Sequence, residues 1–450
     1  MLARPSTDGF SFQTGVLHQI AADVLGHAAR LGASGAETEV TEGIGQTVTV
    51  RRGEVETIEY NRDKGVGVTV YLGQRRGHAS TSDFSPEALL QAVEAALAIA
   101  RYTASDDCAG LADRDLLAAE CPDLDLHHPW QLPVEQAIEL AQTCEAAAFA
   151  VDPRLSNSEG ASVATHQHQF VYANSNGFAG GYPSSRHSIY CAMIGDSDGG
   201  MQRDDWYAVA RDWRDLEEPE AVGRRAGQRC AARLGARRIA TTQVPVLFEA
   251  PIAGSLIGHF VSAVSGGSLY RKSSFLLDSV GKPVFAPSVR LHERPLLKKG
   301  LGSAAFDDEG VATRERDVVH DGVVGGYFLG SYSARKLGLR STGNAGGSHN
   351  LLLDSTGEDF KALLAKVGTG LLVTELLGHG VNNVTGDYSR GAAGFWVEQG
   401  EIAWPVQEIT IAGNLKDMFR DIVAIGNDVI VRGARQCGSI LVNRMTVAGE

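Results

Sequence analysis

The chain has 450 residues, of which 43% are hydrophobic and 21% are charged, and its net charge is -13 at neutral pH. This length exceeds one ordinary core and predicts two or three globular domains. Because duplex-binding surfaces need clustered Lys and Arg, the acidic balance argues against nucleic acid as a partner.

The ends and the cysteines predict a cytoplasmic protein. The first residues, MLARPSTDGFSFQTG, contain no apolar signal region, and no apolar run is long enough to span a bilayer. None of the six cysteines has the C-x-x-C spacing of a zinc knuckle or redox pair; they are Cys108, Cys121, Cys144, Cys191, Cys230 and Cys437. We therefore expect free thiols, a reducing compartment and no membrane partner.

The first predicted domain, residues 1–105, mixes helices with a sheet. TGVLHQIAADVLGHAARLGAS has apolar residues at helical spacing and ends at Gly32, which suits a C-cap. Strand patterns follow, interrupted by turn signals at Arg52-Gly53 and at Asp63-Lys64-Gly65. Ser85, followed by a proline at the first helical position, predicts the N-cap of a second helix.

The second predicted domain, residues 120–238, follows an acidic, poorly periodic connection. A helix is predicted from Pro133, then a hairpin whose turn is NSNG, then a helix rich in Ala and Arg. His166 and His168 share one face of a predicted strand, but no third ligand accompanies them. We expect them to be solvent-facing polar residues rather than a metal site.

The third predicted domain, residues 241–450, is glycine-rich, with short strand-like runs such as VPVLFEA and GLLVTELLGHGVN. These runs predict a mostly β domain. The whole chain is therefore assigned to the α+β class, with an N-terminal mixed α/β region followed by a β-rich C-terminal domain.

Three short segments resemble functional motifs without completing them. GDSDGG lacks the calcium-loop glutamate, since the twelfth residue from Asp196 is Tyr207. STGNAGGSHN lacks the Gly-Lys-Ser/Thr of a phosphate loop and indicates a flexible loop beside a cleft. LHERP, with His292 and Glu293, is half of a zinc-peptidase motif without a second histidine, and we expect a surface loop there.

The segment APIAGSLIGHFVSAVSGG predicts a helix with one histidine, His259. A zinc-peptidase helix needs two histidines about one turn apart and a glutamate as general base. Ser255, Ser262 and Ala263 stand one turn from His259, and GSLIGHFVSA contains no carboxylate. This helix alone cannot hold a metal.

Three segments carry a family resemblance. They are GDYSRGAAGFWVEQGEIAWPVQEITIAGNLKDMF, YSARKLGLRSTGNAGG and the ending QCGSILVNRMTVAG. These segments resemble the PmbA/TldE subunit of the TldD/PmbA metalloprotease family, also called modulator of DNA gyrase. The resemblance extends over nearly the whole chain. In this family the catalytic sibling, TldD, carries His-Glu-x-x-x-His on a helix and a third zinc ligand in a Cys-Gly segment near the C-terminus.

The resemblance implies a degenerate zinc motif in this chain. Gly258 then corresponds to the first histidine, His259 to the glutamate and Ala263 to the second histidine. Cys437 corresponds to the third-ligand segment, but one thiolate would not retain zinc. We therefore assign no catalytic residue, no metal and no cofactor to this chain, and expect zinc in a TldD-like partner.

The resemblance further implies a cytoplasmic heterodimer with a TldD-like catalytic subunit, acting on small or unstructured peptides, and a possible homodimer when the chain is alone. In this interpretation the chain shapes the peptide chamber. One alternative is an autonomous metallopeptidase that recruits His259 with Cys437 or His379. Another is a non-enzymatic regulator that binds a protein such as gyrase or an antitoxin.

Two groups of residues are candidates for peptide contact. Asn344 and His349 belong to the glycine-rich loop and are expected to face the cavity. The remaining candidates lie in GDYSRGAAGFW, which either lines the peptide channel or forms a tight turn with a buried Phe-Trp corner: Asp387, Tyr388, Ser389, Arg390, Phe395 and Trp396.

Overall fold

The computed structural model of the chain describes residues 9–449. Its N-terminal half contains four α-helices and seven strands among the described residues. In chain order they are α1 (Thr14–Arg30), β1 (Gly35–Arg51), β2 (Glu54–Leu72), β3 (Arg75–Thr81), α2 (Pro86–Tyr102), α3 (Val134–Phe149), β4 (Asn157–Asn174), β5 (Ala179–Gly180), β6 (Pro183–Ser197), β7 (Gly200–Ala210) and α4 (Pro219–Ala232).

All seven of these strands belong to one antiparallel sheet. Its order is β3-β2-β1-β4-β6-β7, and β5 pairs with β4. β1 lies between β2 and β4 and pairs with β4 from Glu37 to Val50. A single sheet, with strands between Gly35 and Ala210, therefore joins the two predicted domains, and the division of residues 1–105 from residues 120–238 stays a prediction.

Two pairs of helices bury this sheet. α1 and α2 pack apolar side chains such as Leu17 and Val93 against Val40 and the strands beside it. α3 and α4 cover the neighbouring strands and approach each other closely, because a Cβ on Gly223 would overlap the carbonyl oxygen of Cys144. Each fully buried aliphatic side chain contributes about 1.5–3 kcal/mol.

The C-terminal half holds five helices and eleven strands among the residues that the structure describes. They are β8 (Thr242–Phe248), α5 (Ala250–Ala263), α6 (Gly266–Tyr270), β9 (Leu291–Glu293), β10 (Arg316–His320), β11 (Val323–Val324), α7 (Ser331–Lys336), β12 (Leu351–Leu353), α8 (Phe360–Val367), β13 (Gly370–Leu377), β14 (Asp387–Glu398), β15 (Glu401–Asn414), α9 (Leu415–Arg420), β16 (Ile422–Ile425), β17 (Arg435–Gln436) and β18 (Ile440–Ala448).

The larger of the two C-terminal sheets closes on itself. Its order is β15-β14-β13-β8-β18-β16, and β15 also pairs with β18. In this ring β8 lies between β13, to which it is parallel, and β18, to which it is antiparallel. Helix α5 begins two residues after β8 ends. The smaller sheet has the order β11-β10-β9-β12-β17.

Several predicted elements are confirmed. The predicted α+β class is confirmed by the mixture of helices and sheets. Ser85 caps α2, since its side chain accepts a hydrogen bond from the Ala88 N–H, and Pro133 directly precedes α3. Arg52 and Gly53 form the β1–β2 turn with positive φ values of 55° and 79°.

Two local predictions are wrong. β2 continues through Asp63-Lys64-Gly65, where a turn was expected, because Lys64 pairs with β1 and its ammonium lies over the rings of Phe12 and Phe84. Glu293 is 1% exposed and belongs to β9, where a surface loop was expected. An ion pair with Arg316 lets this carboxylate be buried.

Within residues 9–449, no helix is both long enough and apolar enough to cross a membrane.

Candidate functional site

Helix α5 has one apolar face and one face of small or polar residues. Its apolar side chains, including Leu256, Ile257 and Phe260, are buried in the core of the C-terminal half. The opposite face carries small or polar residues, among them Gly258 and His259, and is only partly covered. The helix follows β8 directly, and this face contacts residues of β14 and β17.

His259 lies in an environment that favours the neutral imidazole. Its ring makes an edge-to-face contact with Tyr388, with the centroids 5.8 Å apart, and its Nε2 is buried without a hydrogen-bond partner. Burial, and then the charges of Arg390 and Arg435, lower the pKa of His259 to about 4. A neutral histidine therefore occupies the place at which the family resemblance puts a general base.

Arg435 fills the space beside Gly258. A Cβ at residue 258 would overlap Nη1 of Arg435, so a larger residue there would require this guanidinium to move. The same Nη1 donates a hydrogen bond to the Gly254 carbonyl oxygen at 3.4 Å. The surface of α5 that would carry a first histidine ligand is thus covered by a cation.

The other residues of the degenerate motif are poor metal ligands. Ala263 is fully buried in the apolar core. Cys437 is 2% exposed, and burial raises the pKa of its thiol to about 12, although a metal ligand must be a thiolate. In the described part of the chain, no three His, Cys, Asp or Glu side chains are arranged to hold a metal, and His379 does not join His259 and Cys437 in such a group.

The six predicted contact residues of β14 lie in three different environments. Tyr388 and Arg390 point toward α5, as expected for residues two apart on a strand. Asp387 and Ser389 are exposed, and Asp387 accepts hydrogen bonds from Thr385 Oγ1 and Asn414 Nδ2. The two aromatic residues lie near the other end of the strand, where Phe395 packs against an apolar cluster and Trp396 stacks on Trp404, with ring centroids 6.3 Å apart.

Asn344 and His349 hold the glycine-rich loop to Glu293. The Asn344 amide and the His349 backbone N–H both donate to Oε1 of Glu293, at 2.8 and 2.9 Å. His349 Nε2 lies 2.9 Å from the Gly343 carbonyl oxygen, and both side chains are more than 90% buried. His349 also lines a small cavity of about 310 Å³.

A large cavity of about 1750 Å³ lies between the N-terminal sheet and the glycine-rich loop. Glu37 and Glu39 line one side, and Asp308 and Gly346 line the other. Burial raises the pKa of all three carboxyl groups. The hydroxyls of two tyrosines donate to Glu37, at 3.0 and 2.8 Å, and fix its carboxylate.

Asp307 is hydrogen-bonded to the same glycine-rich loop. Its carboxylate accepts hydrogen bonds from the backbone N–H groups of Glu309, Val311 and Ala345. Burial nevertheless raises the pKa of Asp307 to about 7, and the nearby charge of Glu309 also raises it. The loop that borders the large cavity is therefore anchored by two buried acidic residues, Asp307 and Glu293.

Sequence reasoning missed Arg435, Glu293 and the acidic residues of the cavity. Glu37 and Glu39 did carry a signal, because alternation along a strand places them on one face. Arg435 carried none, since its importance depends on Gly258, far away along the chain. His166 and His168 are both exposed, as expected.

Comparisons with known proteins agree over the length of the chain. Sequence profiles of the PmbA/TldA metallopeptidase domain 1, central domain and C-terminal domain match residues 36–100, 127–234 and 241–449. The chain is 51% identical to metalloprotease PmbA of Escherichia coli O157:H7 over 416 residues, 92% of each chain. It is 47% identical to a metalloprotease PmbA homolog of Haemophilus influenzae, covering all of this chain and 99% of the homolog.

Solved structures are similar as well. A proposed modulator of DNA gyrase from Bacteroides thetaiotaomicron superimposes with a TM-score of 0.91 at 26% identity, covering 96% of this chain and 98% of the other. TldE from Thermococcus kodakarensis shares the fold, with a TM-score of 0.83 at 18% identity and coverage of 96% and 100%.

Proposed function

Because this chain belongs to the PmbA/TldD metallopeptidase family, we propose that it is the subunit of a two-subunit peptidase that brings no zinc site of its own. A TldD-like partner then holds the metal, and the two subunits form a cytoplasmic heterodimer that acts on small or unstructured peptides. Without the partner, the chain is proposed to form a homodimer.

The observation that carries this proposal is the guanidinium of Arg435 on the glycine face of α5. Two unit charges of the same sign, 4 Å apart near a protein surface, repel by about 4 kcal/mol, and a divalent ion doubles this cost. Zinc, where bound, polarises a carbonyl group and activates water. The donor set here, a glycine, a neutral histidine and a protonated thiol, does not fit such an ion.

The large cavity supports a role in holding peptide. Its volume of about 1750 Å³ exceeds the roughly 300–1,000 Å³ of typical small-molecule sites, so it suits a polymer segment. Glycine-rich backbone at Gly346 and carboxylates such as Glu39 border it. Backbone groups there can pair with an extended peptide independently of its sequence.

Zinc content and activity of the purified chain test the proposal. The isolated chain is expected to contain substoichiometric zinc by mass spectrometry and to leave an unstructured peptide uncut. Cleavage should begin on addition of the TldD-like partner and stop on chelation.

Two cysteine variants provide a matched control. Cys437→Ser, at the segment resembling a third ligand, and Cys121→Ser, at an exposed thiol, should contain equally little zinc. One equivalent of zinc in the wild-type chain that is lost only in Cys437→Ser would contradict the proposal. Chelator-sensitive cleavage by the isolated chain would support an autonomous metallopeptidase instead.

A further inference from the structure

Polar groups without partners converge on the glycine face of α5. His259 Nε2, the Tyr388 hydroxyl and Arg390 Nε are all buried without a well-aligned hydrogen bond, and Arg390 lies beside the Tyr388 hydroxyl, where it opposes the rise that burial causes in the pKa of this tyrosine. Arg435 makes a single one, to the Gly254 carbonyl oxygen. Neither arginine has a carboxylate within ion-pair distance among residues 9–449.

Without a bound ligand, this arrangement of polar groups lowers the stability of the folded chain. A buried polar atom without a hydrogen-bond partner costs about 1–3 kcal/mol, and such atoms of His259, Tyr388 and Arg390 lie close together here. Both guanidinium groups lie close enough to His259 to depress its pKa, so two like charges share this small region.

The polar groups come from three elements and lie around His259 and Gly258. Tyr388 and Arg390 come from one face of β14, Arg435 from β17, and His259 from α5. Guanidinium groups recognise planar oxyanions through paired N–H groups, and a neutral imidazole adds a donor without a competing charge. A carboxylate has two oxygens in one plane, which matches a set that contains two guanidinium groups.

We propose that the glycine face of α5 is a carboxylate-binding site formed by Arg390, Arg435, Tyr388 and His259. The carboxylate belongs either to the C-terminus of a polypeptide or to a free small acid. Only the polypeptide source rests on the proposed function; the site itself does not depend on where the zinc of the assembly lies. Arg390 and Arg435 bind the anion, and Gly258 is required because a side chain there would displace Arg435.

Calorimetric titration of the full-length chain tests the site with four probes. They are N-acetyl-trialanine with a free C-terminal carboxylate, the same peptide with a C-terminal amide, sodium acetate, and inorganic phosphate. The free-acid peptide should bind at least tenfold more tightly than the amide. Acetate competing as well as the free-acid peptide would assign the site to small acids, whereas a clear preference for the peptide would assign it to polypeptide C-termini.

Variants locate the binding. Arg435→Gln, at an exposed side chain, and Tyr388→Phe, which keeps the ring contact with His259, should each weaken binding of the free-acid peptide, by at least tenfold and about threefold respectively. Arg224→Gln, at an exposed arginine on α4, is the matched control and should bind as the wild type does. Thermal unfolding of each variant verifies that it is folded.

Three results would overturn the carboxylate site: equal binding of acid and amide, undiminished binding in Arg435→Gln, or binding of phosphate alone. The zinc measurement above is independent of all three. A zinc-free chain that ignores carboxylates would reject this site and leave the proposed subunit role intact.

Discussion

Replacing Glu293 by glutamine should destabilise the loop beside the large cavity. The wild-type carboxylate is 1% exposed and accepts three hydrogen bonds: from Arg316 Nε at 2.7 Å, from the Asn344 amide and from the His349 N–H. Glutamine keeps the shape but offers one acceptor oxygen, so its NH₂ group must face either Arg316 or the two other donors. Arg316 also loses its only carboxylate partner among the described residues.

The expected loss in the free energy of unfolding is about 2–3 kcal/mol. Breaking a fully buried ion pair costs roughly 3–5 kcal/mol. The Arg316 side chain is 21% exposed and also donates to the Tyr327 carbonyl oxygen and to Asn344 Oδ1, which reduces this cost. Urea unfolding followed by circular dichroism measures the difference.

A control variant separates burial from simple loss of charge. Glu315→Gln removes a carboxylate whose side chain is 54% exposed and lies 3.9 Å from Arg294. Exposed pairs of this kind contribute about 0–1 kcal/mol. If Glu293→Gln and Glu315→Gln differ by less than 0.5 kcal/mol, the anchoring role of Glu293 is refuted.

Four further predictions concern glycine packing and titration. Gly258→Ala should change stability by less than about 1 kcal/mol, because the atom in its way ends the flexible Arg435 side chain and alanine favours the helix by about 1 kcal/mol. Gly223→Ala should lower the free energy of unfolding by more than about 2 kcal/mol, because the added methyl group would overlap the backbone of α3. Thermal unfolding of the two glycine variants compares these effects. The imidazole of His259 should titrate near pH 4 by NMR, and stability should fall as the pH drops from 6.5 to 4, because the unfolded chain binds that proton first; an unshifted pKa contradicts this. The pKa of Asp307 is raised to about 7, so the wild type should lose stability relative to Asp307→Asn as the pH rises from about 4 to 7, and a pH-independent difference in urea unfolding rules this out.

The local elements were predictable where one stretch of sequence decides them. Ser85 before a proline specifies the start of α2, and Arg52-Gly53 specifies a turn, because capping and positive φ depend on a few neighbouring residues. The turn expected at Asp63-Lys64-Gly65 failed because distant rings, those of Phe12 and Phe84, bind the lysine in an extended strand. Tertiary contacts override local preference there.

The candidate site was predictable only in part, from the helix sequence and from the family resemblance. The helix sequence itself drew attention to His259, the resemblance added Gly258, and the structure places both on the partly covered face of α5. It gave no indication of Arg435, whose contact spans a sequence separation of 181 residues to Gly254. Asn344 was selected for its loop, but its amide bonds to a glutamate that sequence reasoning had placed at the surface.

The closed ring of strands has a consequence for how the protein is made. β18, at Ile440–Ala448, separates β8 from β16 and also joins β15, so the strand that leads into α5 lacks one neighbour until β18 has been synthesised. On the ribosome, the N-terminal sheet can complete its pairing about 200 residues before the C-terminal ring can close. The ring beside α5 therefore closes only after β18 is made, and a nascent chain that stops before Ile440 would carry an intact N-terminal sheet and an open ring with exposed strand edges.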